Sequence, residues 1–288
     1  MKWEGEQESE NVEDRRSLKP AAAAGGGILT LLIVVGAYFL GFDPRQAQQI
    51  AQKLENVGGH QTQEVGPPVN DKTKKFVATV LNFTEDVWTD QFRQMGEQYQ
   101  KPKLVLFRES VDSEGCGVAP SAVGPFYCPV SKKVFLDPSF FDELEQKLGG
   151  SKAEFSQAYV IAHEVGHHVQ NLLGYSDKVR QFERREGKNG SVRLELQADY
   201  LAGVWAHHGQ KKFNFVERGD IESAITTAKA IGDDRLQKRS QGWVSPEGFT
   251  HGTSEQRIRA FTEGFKSGDA SKRALDRYFD PNTDPLKL

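Results

Sequence analysis

The sequence predicts an α+β domain, mainly helical with a small β-sheet, preceded by one transmembrane helix. Three observations lead there. Helix-period apolar runs with capping signals recur along most of the second half, two short aromatic and β-branched runs stand apart from them, and residues 21–42 carry no charged side chain. The 288 residues allow one good-sized domain with appendages, and 37% hydrophobic with 27% charged residues is an ordinary globular composition. A formal net charge of −3 gives no electrostatic reason to expect a nucleic-acid partner.

Residues 1–20 form a polar leader with six acidic residues. Residues 21–42, with ILTLLIVVGAYFLGF at their heart, would span about 33 Å as a helix, close to the thickness of a bilayer. A buried core helix would normally show a polar face, and only Thr30 offers one here. A cleaved signal peptide fits less well, because the leader is acidic and no clean A-x-A site follows. Arg15, Arg16 and Lys19 outnumber Arg45 and Lys53 at the flanks. The expectation is therefore a single-pass membrane protein with its N-terminus cytoplasmic and its large C-terminal domain extracytoplasmic. Residues 43–70, rich in Gln and Gly and closing on Gly66-Pro67-Pro68, read as a stalk, 71–279 as the domain and 280–288 as a flexible tail.

Within the domain, Asp71 opens a helical run to about Tyr99, and Lys103–Arg108 and Lys133–Asp137 read as strands. The second strand is a candidate edge for holding an extended peptide, with an ordinary core strand as the alternative. Between the strands, Cys116 and Cys128 bracket a Gly- and Pro-rich loop. In an oxidising compartment they pair as a disulfide; two reduced buried thiols are the alternative. Ser151 and Glu154 spell a capping box for a helix ending at Leu173, with Gly174 as its stop. Ser191 caps a second helix to about His208, Asp220–Ile231 fits a third, and Thr253 with Gln256 caps a fourth. The segment Asp233–Thr250 is placed to cover a cleft.

The first of these helices carries His163-Glu164-Val165-Gly166-His167. Histidines four apart share a helical face, so His163 and His167 can bind one Zn2+, and Glu164 beside the first can act as general base toward water on the metal. His168 lies about 100° off that face and reads as packing. Catalytic zinc takes a third protein ligand and leaves a fourth position open. Glu195-Leu-Gln-Ala-Asp199 on the second helix again places two carboxylates on one face, with small Ala198 and Ala202 beside them. Glu195 can supply the ligand, and Asp199 can accept the second N–H of a ligand imidazole. A solvated helix face is the alternative for that pair taken alone.

HEVGHHVQ followed by RLELQADYLAGVWAHH resembles the bacterial neutral zinc metallopeptidase family, membrane-anchored zinc proteases related to thermolysin and other gluzincins and to the HtpX type. The resemblance covers approximately residues 66–266. It implies a zincin-like metallopeptidase domain with one Zn2+ per chain, a peptide or protein substrate, His163, His167 and Glu195 as ligands, Glu164 as base and Asp199 behind them. His251-Gly-Thr-Ser-Glu-Gln-Arg257-Ile resembles the HP-x-T-x-x-R-I segment of the HtpX group, with Gly252 in place of its Pro. That match makes His251 and Arg257 candidates for holding the oxyanion or positioning Glu195; a helix flank and a surface Arg are the alternatives. Two rival readings are a non-catalytic module stapled by zinc and a deformylase-like hydrolase in which the Glu114-Gly115-Cys116 segment supplies a cysteine ligand.

Overall fold

The structure, a computed structural model, describes residues 1–18, 71–186, 190–241, 243–245 and 249–284. In chain order the main elements begin with β1 (Val12–Asp14), α1 (Asp71–Gln94), β2 (Lys103–Leu106), β3 (Ser110–Asp112) and β4 (Val118–Pro120). Next come β5 (Phe126–Cys128), β6 (Lys133–Leu136) and α2 (Ser139–Glu143), which runs into a π turn over Leu144–Leu148. Helices α3 (Glu154–Leu172), α4 (Tyr175–Glu186), α5 (Gly190–Phe213), α6 (Asp220–Ala230), α7 (Asp233–Gln241), α8 (Ser254–Ser267) and α9 (Lys272–Asp276) complete the chain. A mainly helical α+β architecture with small sheets is what the sequence predicts.

The principal sheet has the order β1-β2-β6-β5, with β1–β2 and β2–β6 parallel and β5–β6 antiparallel. Both of its faces are covered, so its strands are apolar runs rather than strict alternations. Leu104, Leu106, Val134, Leu136 and Tyr127 join the large helical core, while Val105, Phe107, Phe126, Cys128 and Phe135 face the β3–β4 hairpin. Adjacent residues on a strand point to opposite faces, which divides KLVLF between the two cores. The Cys116–Cys128 disulfide ties the end of β5 into the smaller core.

Strand β6 lies inside the sheet, so of the two readings of Lys133–Asp137 the core strand is the one observed, and β5 forms the edge on that side. The antiparallel return of β5 onto β6, with Phe126 stacked on Phe135 at 4.9 Å, covers that side of β6. A buried His168 holds β5 against α3. Its Nε2 donates to the Gln100 carbonyl at 2.6 Å, which leaves Nδ1 to accept from the Tyr127 hydroxyl at 3.0 Å. Burial pulls the His168 pKa down to about 4, so this clamp is neutral.

The expected membrane topology needs correction. Among the described residues no helix is long and apolar enough to cross a membrane. The predicted span 21–42 and stalk 43–70 lie outside the described residues. The flanks supply the physical reason against an N-in, C-out single pass: the described residues 1–18 of the expected cytoplasmic tail 1–20 pack on the domain. Val12 pairs with Leu104, Trp3 packs edge-on against Phe76 at 5.3 Å, and buried Glu85 accepts from Ser9 at 2.7 Å, Asn11 at 2.7 Å and Lys101 at 2.9 Å. One crossing between residues 18 and 71 would tear β1 from β2.

Smaller corrections follow the hydrogen bonds. The Ser151 box does not form: α3 starts at Glu154 behind Ala153, while Ser151 Oγ accepts from Ala153 N at 3.1 Å in a local turn. The Thr253–Gln256 box does form, with both reciprocal bonds. Helix α5 starts at Gly190, one residue before Ser191. Within the tail expected from residue 280, the Thr283 carbonyl accepts from Arg193 at 2.8 Å.

Candidate metal centre

Helices α3 and α5 cross where both are thin. A Cβ on Gly166 would sit 3.0 Å from the Ala198 carbonyl oxygen and 3.3 Å from its Cα, so a larger residue on either side would push the helices apart. This close approach sets His163 and His167 opposite Glu195. His163 Nε2 lies 3.2 Å from Glu195 Oε2, and His167 Nε2 lies 3.3 Å from Glu195 Oε1. The three donor atoms fall within 4.8 Å of one another. Zinc bonds of about 2.0–2.1 Å in a tetrahedron separate ligand atoms by about 3.3 Å. The two His–Glu195 separations, one to each carboxylate oxygen, are close to that edge.

The tautomers test whether a cation fits. His163 Nδ1 donates to Asp199 Oδ1 at 2.8 Å, and His167 Nδ1 faces Gln170 Oε1 at 2.8 Å. The Gln170 amide is oriented by its own nitrogen, which donates to the Leu194 carbonyl at 2.7 Å and to Gln197 Oε1 at 3.0 Å. Both Nδ1 atoms therefore carry hydrogen, and in neutral imidazoles both Nε2 lone pairs point at a carboxylate. Lone pairs facing an anion repel unless a cation lies between them. The donor set fits a divalent metal, with the outer partners fixing both rings.

Without the metal a proton takes that place. Burial disfavours the His163 imidazolium, but the Asp199 and Glu195 carboxylates outweigh it and raise its pKa to about 10. Burial pushes Glu195 up, yet the facing His167 and His163 hold it well below the ordinary carboxylate range. Glu164, buried in the same cleft, goes the other way: burial raises its pKa against the opposing pull of His163 and His167. A carboxylate with raised basicity beside the donor triad can accept a proton.

Asp199 is completely buried and fully committed. It accepts from Tyr159 at 2.6 Å and His163 at 2.8 Å, and from Arg257 Nε at 2.8 Å and Nη2 at 3.0 Å. Burial opposes its charge, but Arg257 and His163 prevail and lower its pKa to about 2. The structure thus places Arg257 on Asp199, with a further bond to the Ile231 carbonyl at 3.3 Å, and not on Glu195. Arg257 comes from α8, which approaches α5 closely: a Cβ on Gly264 would lie 2.0 Å from the Tyr200 carbonyl oxygen.

His251 lines the same cleft. Its Nδ1 meets Asp233 Oδ1 at 3.2 Å, while the other Asp233 oxygen accepts backbone N–H groups from Thr250 at 2.6 Å, His251 at 2.6 Å and Gly252 at 3.1 Å. Burial works against the His251 cation, but Asp233 and Glu195 raise its pKa overall. Cys116 is bonded to Cys128, and no sulfur joins the donor group. This removes the basis for a deformylase-like ligand set.

Sequence reasoning missed Tyr159, Gln170, Gln197 and Asp233. Two of these had a signal: Tyr159 and Gln170 lie one helical turn before His163 and after His167, on the metal-facing stripe of α3. Asp233 meets His251 only through folding.

Comparisons with known proteins agree with this geometry. The model of a family described as "Putative neutral zinc metallopeptidase" matches residues 1–274. "Uncharacterized protein YpfJ" of Escherichia coli (strain K12) is 45% identical, across 94% of this chain and 97% of its own length. "Uncharacterized protein Rv2575" of Mycobacterium tuberculosis (strain ATCC 25618 / H37Rv) is 43% identical, across 59% of this chain and 61% of its own. No solved structure matches the chain. The chain belongs to the neutral zinc metallopeptidase family, whose implied cofactor, Zn2+, suits the His163–His167–Glu195 donor set.

Proposed function

We propose that this protein is a zinc-dependent metallopeptidase of zincin type, which hydrolyses peptide bonds with Glu164 as general base and His163, His167 and Glu195 as metal ligands. The observation that carries this reading is the convergence of three donors, their tautomers already set, on a cleft that also holds a buried carboxylate of raised pKa. When bound, Zn2+ supplies Lewis acidity, polarising the scissile carbonyl and making water easier to deprotonate.

The chain's own groups do the rest. Glu164 takes the proton from the attacking water and passes it to the leaving amine. His251, held by Asp233 and tending toward its charged form, lines the cleft as donor to the oxygen on which negative charge develops. Asp199 and Gln170 keep the ligand rings in register. Strand β5 is a sheet edge whose Phe126 and Tyr127 line the cleft, so an extended substrate can add to it as a further strand. A zinc that only staples helices has no use for a base beside its first ligand, which disfavours the non-catalytic reading.

The test is the zinc-loaded full chain incubated with a mixed peptide library and read by mass spectrometry. Glu164→Gln should lose roughly two to four orders of magnitude in hydrolysis of any cleaved peptide. Equal hydrolysis by parent and variant rules Glu164 out as the base.

A further inference from the structure

The cavity that contains the donor triad, about 420 Å³ in volume, continues into an apolar chamber. Val123 before β5, Phe140 on α2, Leu148 at the end of the π turn, Ile231 after α6 and Leu236 on α7 all line it. Each is only partly buried, so five apolar side chains from separate segments face one space without filling it. Val160, one helical turn before Glu164, closes the wall on the side of the general base. The Phe140 ring is backed by the chain itself: Gly124, at φ +82°, packs so closely that a Cβ there would sit 3.3 Å from the ring.

Charge is balanced at the rim. Away from the donor triad and its neighbours Glu164, His251 and Arg257, the charged lining residues are Glu143 and Lys147, which pair with each other at 2.9 Å. The Arg257 guanidinium is committed to Asp199. A charged side chain entering between Val123, Phe140, Leu148, Ile231 and Leu236 would lose water against apolar walls.

We propose that this chamber is a specificity pocket, which takes a large apolar side chain (leucine, methionine or phenylalanine) from a residue flanking the scissile bond and excludes charged ones. The proposal rests on the peptidase reading and adds the substrate class. Filling such a pocket in place of alanine is worth about 10–100-fold in kcat/KM.

The experiment uses the full chain loaded with Zn2+ and peptides randomised on both sides of the cleaved bond. In parallel, the same peptides are titrated against Glu164→Gln by fluorescence polarisation, which reads occupancy without turnover. The parent should favour Leu, Met and Phe over Ala, Asp and Lys by about 10–100-fold at one flanking position. Leu236→Glu places a carboxylate in the wall and should move the preference at that position toward Lys and Arg. Phe140→Ala should widen the pocket and admit Trp. Leu236 and Phe140 are partly exposed, so both variants should fold, which thermal melting checks.

Cleavage without an apolar preference, or a preference that neither variant alters, overturns the proposal. Apolar-selective binding to Glu164→Gln with no cleavage by the parent supports the pocket and sinks the hydrolytic reading. Neither binding nor cleavage sinks both.

Discussion

Replacing Arg257 by Leu should destabilise the metal-free protein by about 3–5 kcal/mol at neutral pH, because it removes one of the two cations that hold the buried Asp199 carboxylate and leaves only His163. Asp199 has no exposed surface, and Arg257 supplies two of its four hydrogen bonds. The pKa gives an independent scale. Asp199 is lowered from an ordinary 3.8 to about 2, and a shift of roughly two units corresponds to about 2–3 kcal/mol of favourable interaction in the folded state. The sign follows from the depressed value: this stabilisation is complete above the unfolded pKa of 3.8 and is lost as pH falls toward 2. Urea unfolding with a chelator present, which removes stabilisation by bound metal, measures the difference. The gap between parent and Arg257→Leu should be full at pH 7 and shrink below about pH 4. The loss should also be much smaller on an Asp199→Asn background, where no buried carboxylate remains to lose its guanidinium. A gap under about 0.5 kcal/mol at pH 7, or an equal gap on both backgrounds, refutes the assignment of Arg257 to Asp199.

Two further outcomes follow from the geometry. Gln170→Ala removes the acceptor at His167 Nδ1 and should weaken zinc binding by about 10–100-fold in competition with a fluorescent chelator. Replacing Cys116 and Cys128 together by Ser should cost about 3 kcal/mol in urea unfolding, given their separation of 12 residues, while zinc content stays at parent level because neither sulfur touches the donor group.

The local part of the site was legible in the sequence because a helix converts spacing into facing. His163 and His167, and again Glu195 and Asp199, are four apart, so each pair projects from one stripe whatever the rest of the chain does. Which partners meet them is a tertiary matter. Arg257 reaches Asp199 because glycines let α8 settle on α5, and nothing in the spacing of HGTSEQRI says whether that guanidinium meets Asp199 or Glu195. The choice between edge and core strand at Lys133–Asp137 stays open in the sequence for a similar reason: only the pairing order decides which strand lies outermost.

The N-terminal error has a distinct origin. An apolar run reports how its residues would partition into lipid, but not where its two flanks end up. The pairing of Val12 with Leu104 decides that, and a three-residue strand of mixed polarity carries too little periodicity to announce it. The failed cap at Ser151 shows the same limit on a smaller scale, since its hydroxyl is used two residues ahead and not by the helix.

The most direct test of the central claim is zinc content by elemental analysis on three full-length proteins: parent, Glu195→Ala and Glu164→Gln. Glu195 faces both ligand imidazoles, whereas Glu164 lies in the cleft outside the donor triad. About one zinc per chain in the parent and in Glu164→Gln, with substantial loss in Glu195→Ala, is the expected pattern. Full zinc retention in Glu195→Ala, or its loss in Glu164→Gln, contradicts the division between ligand and base.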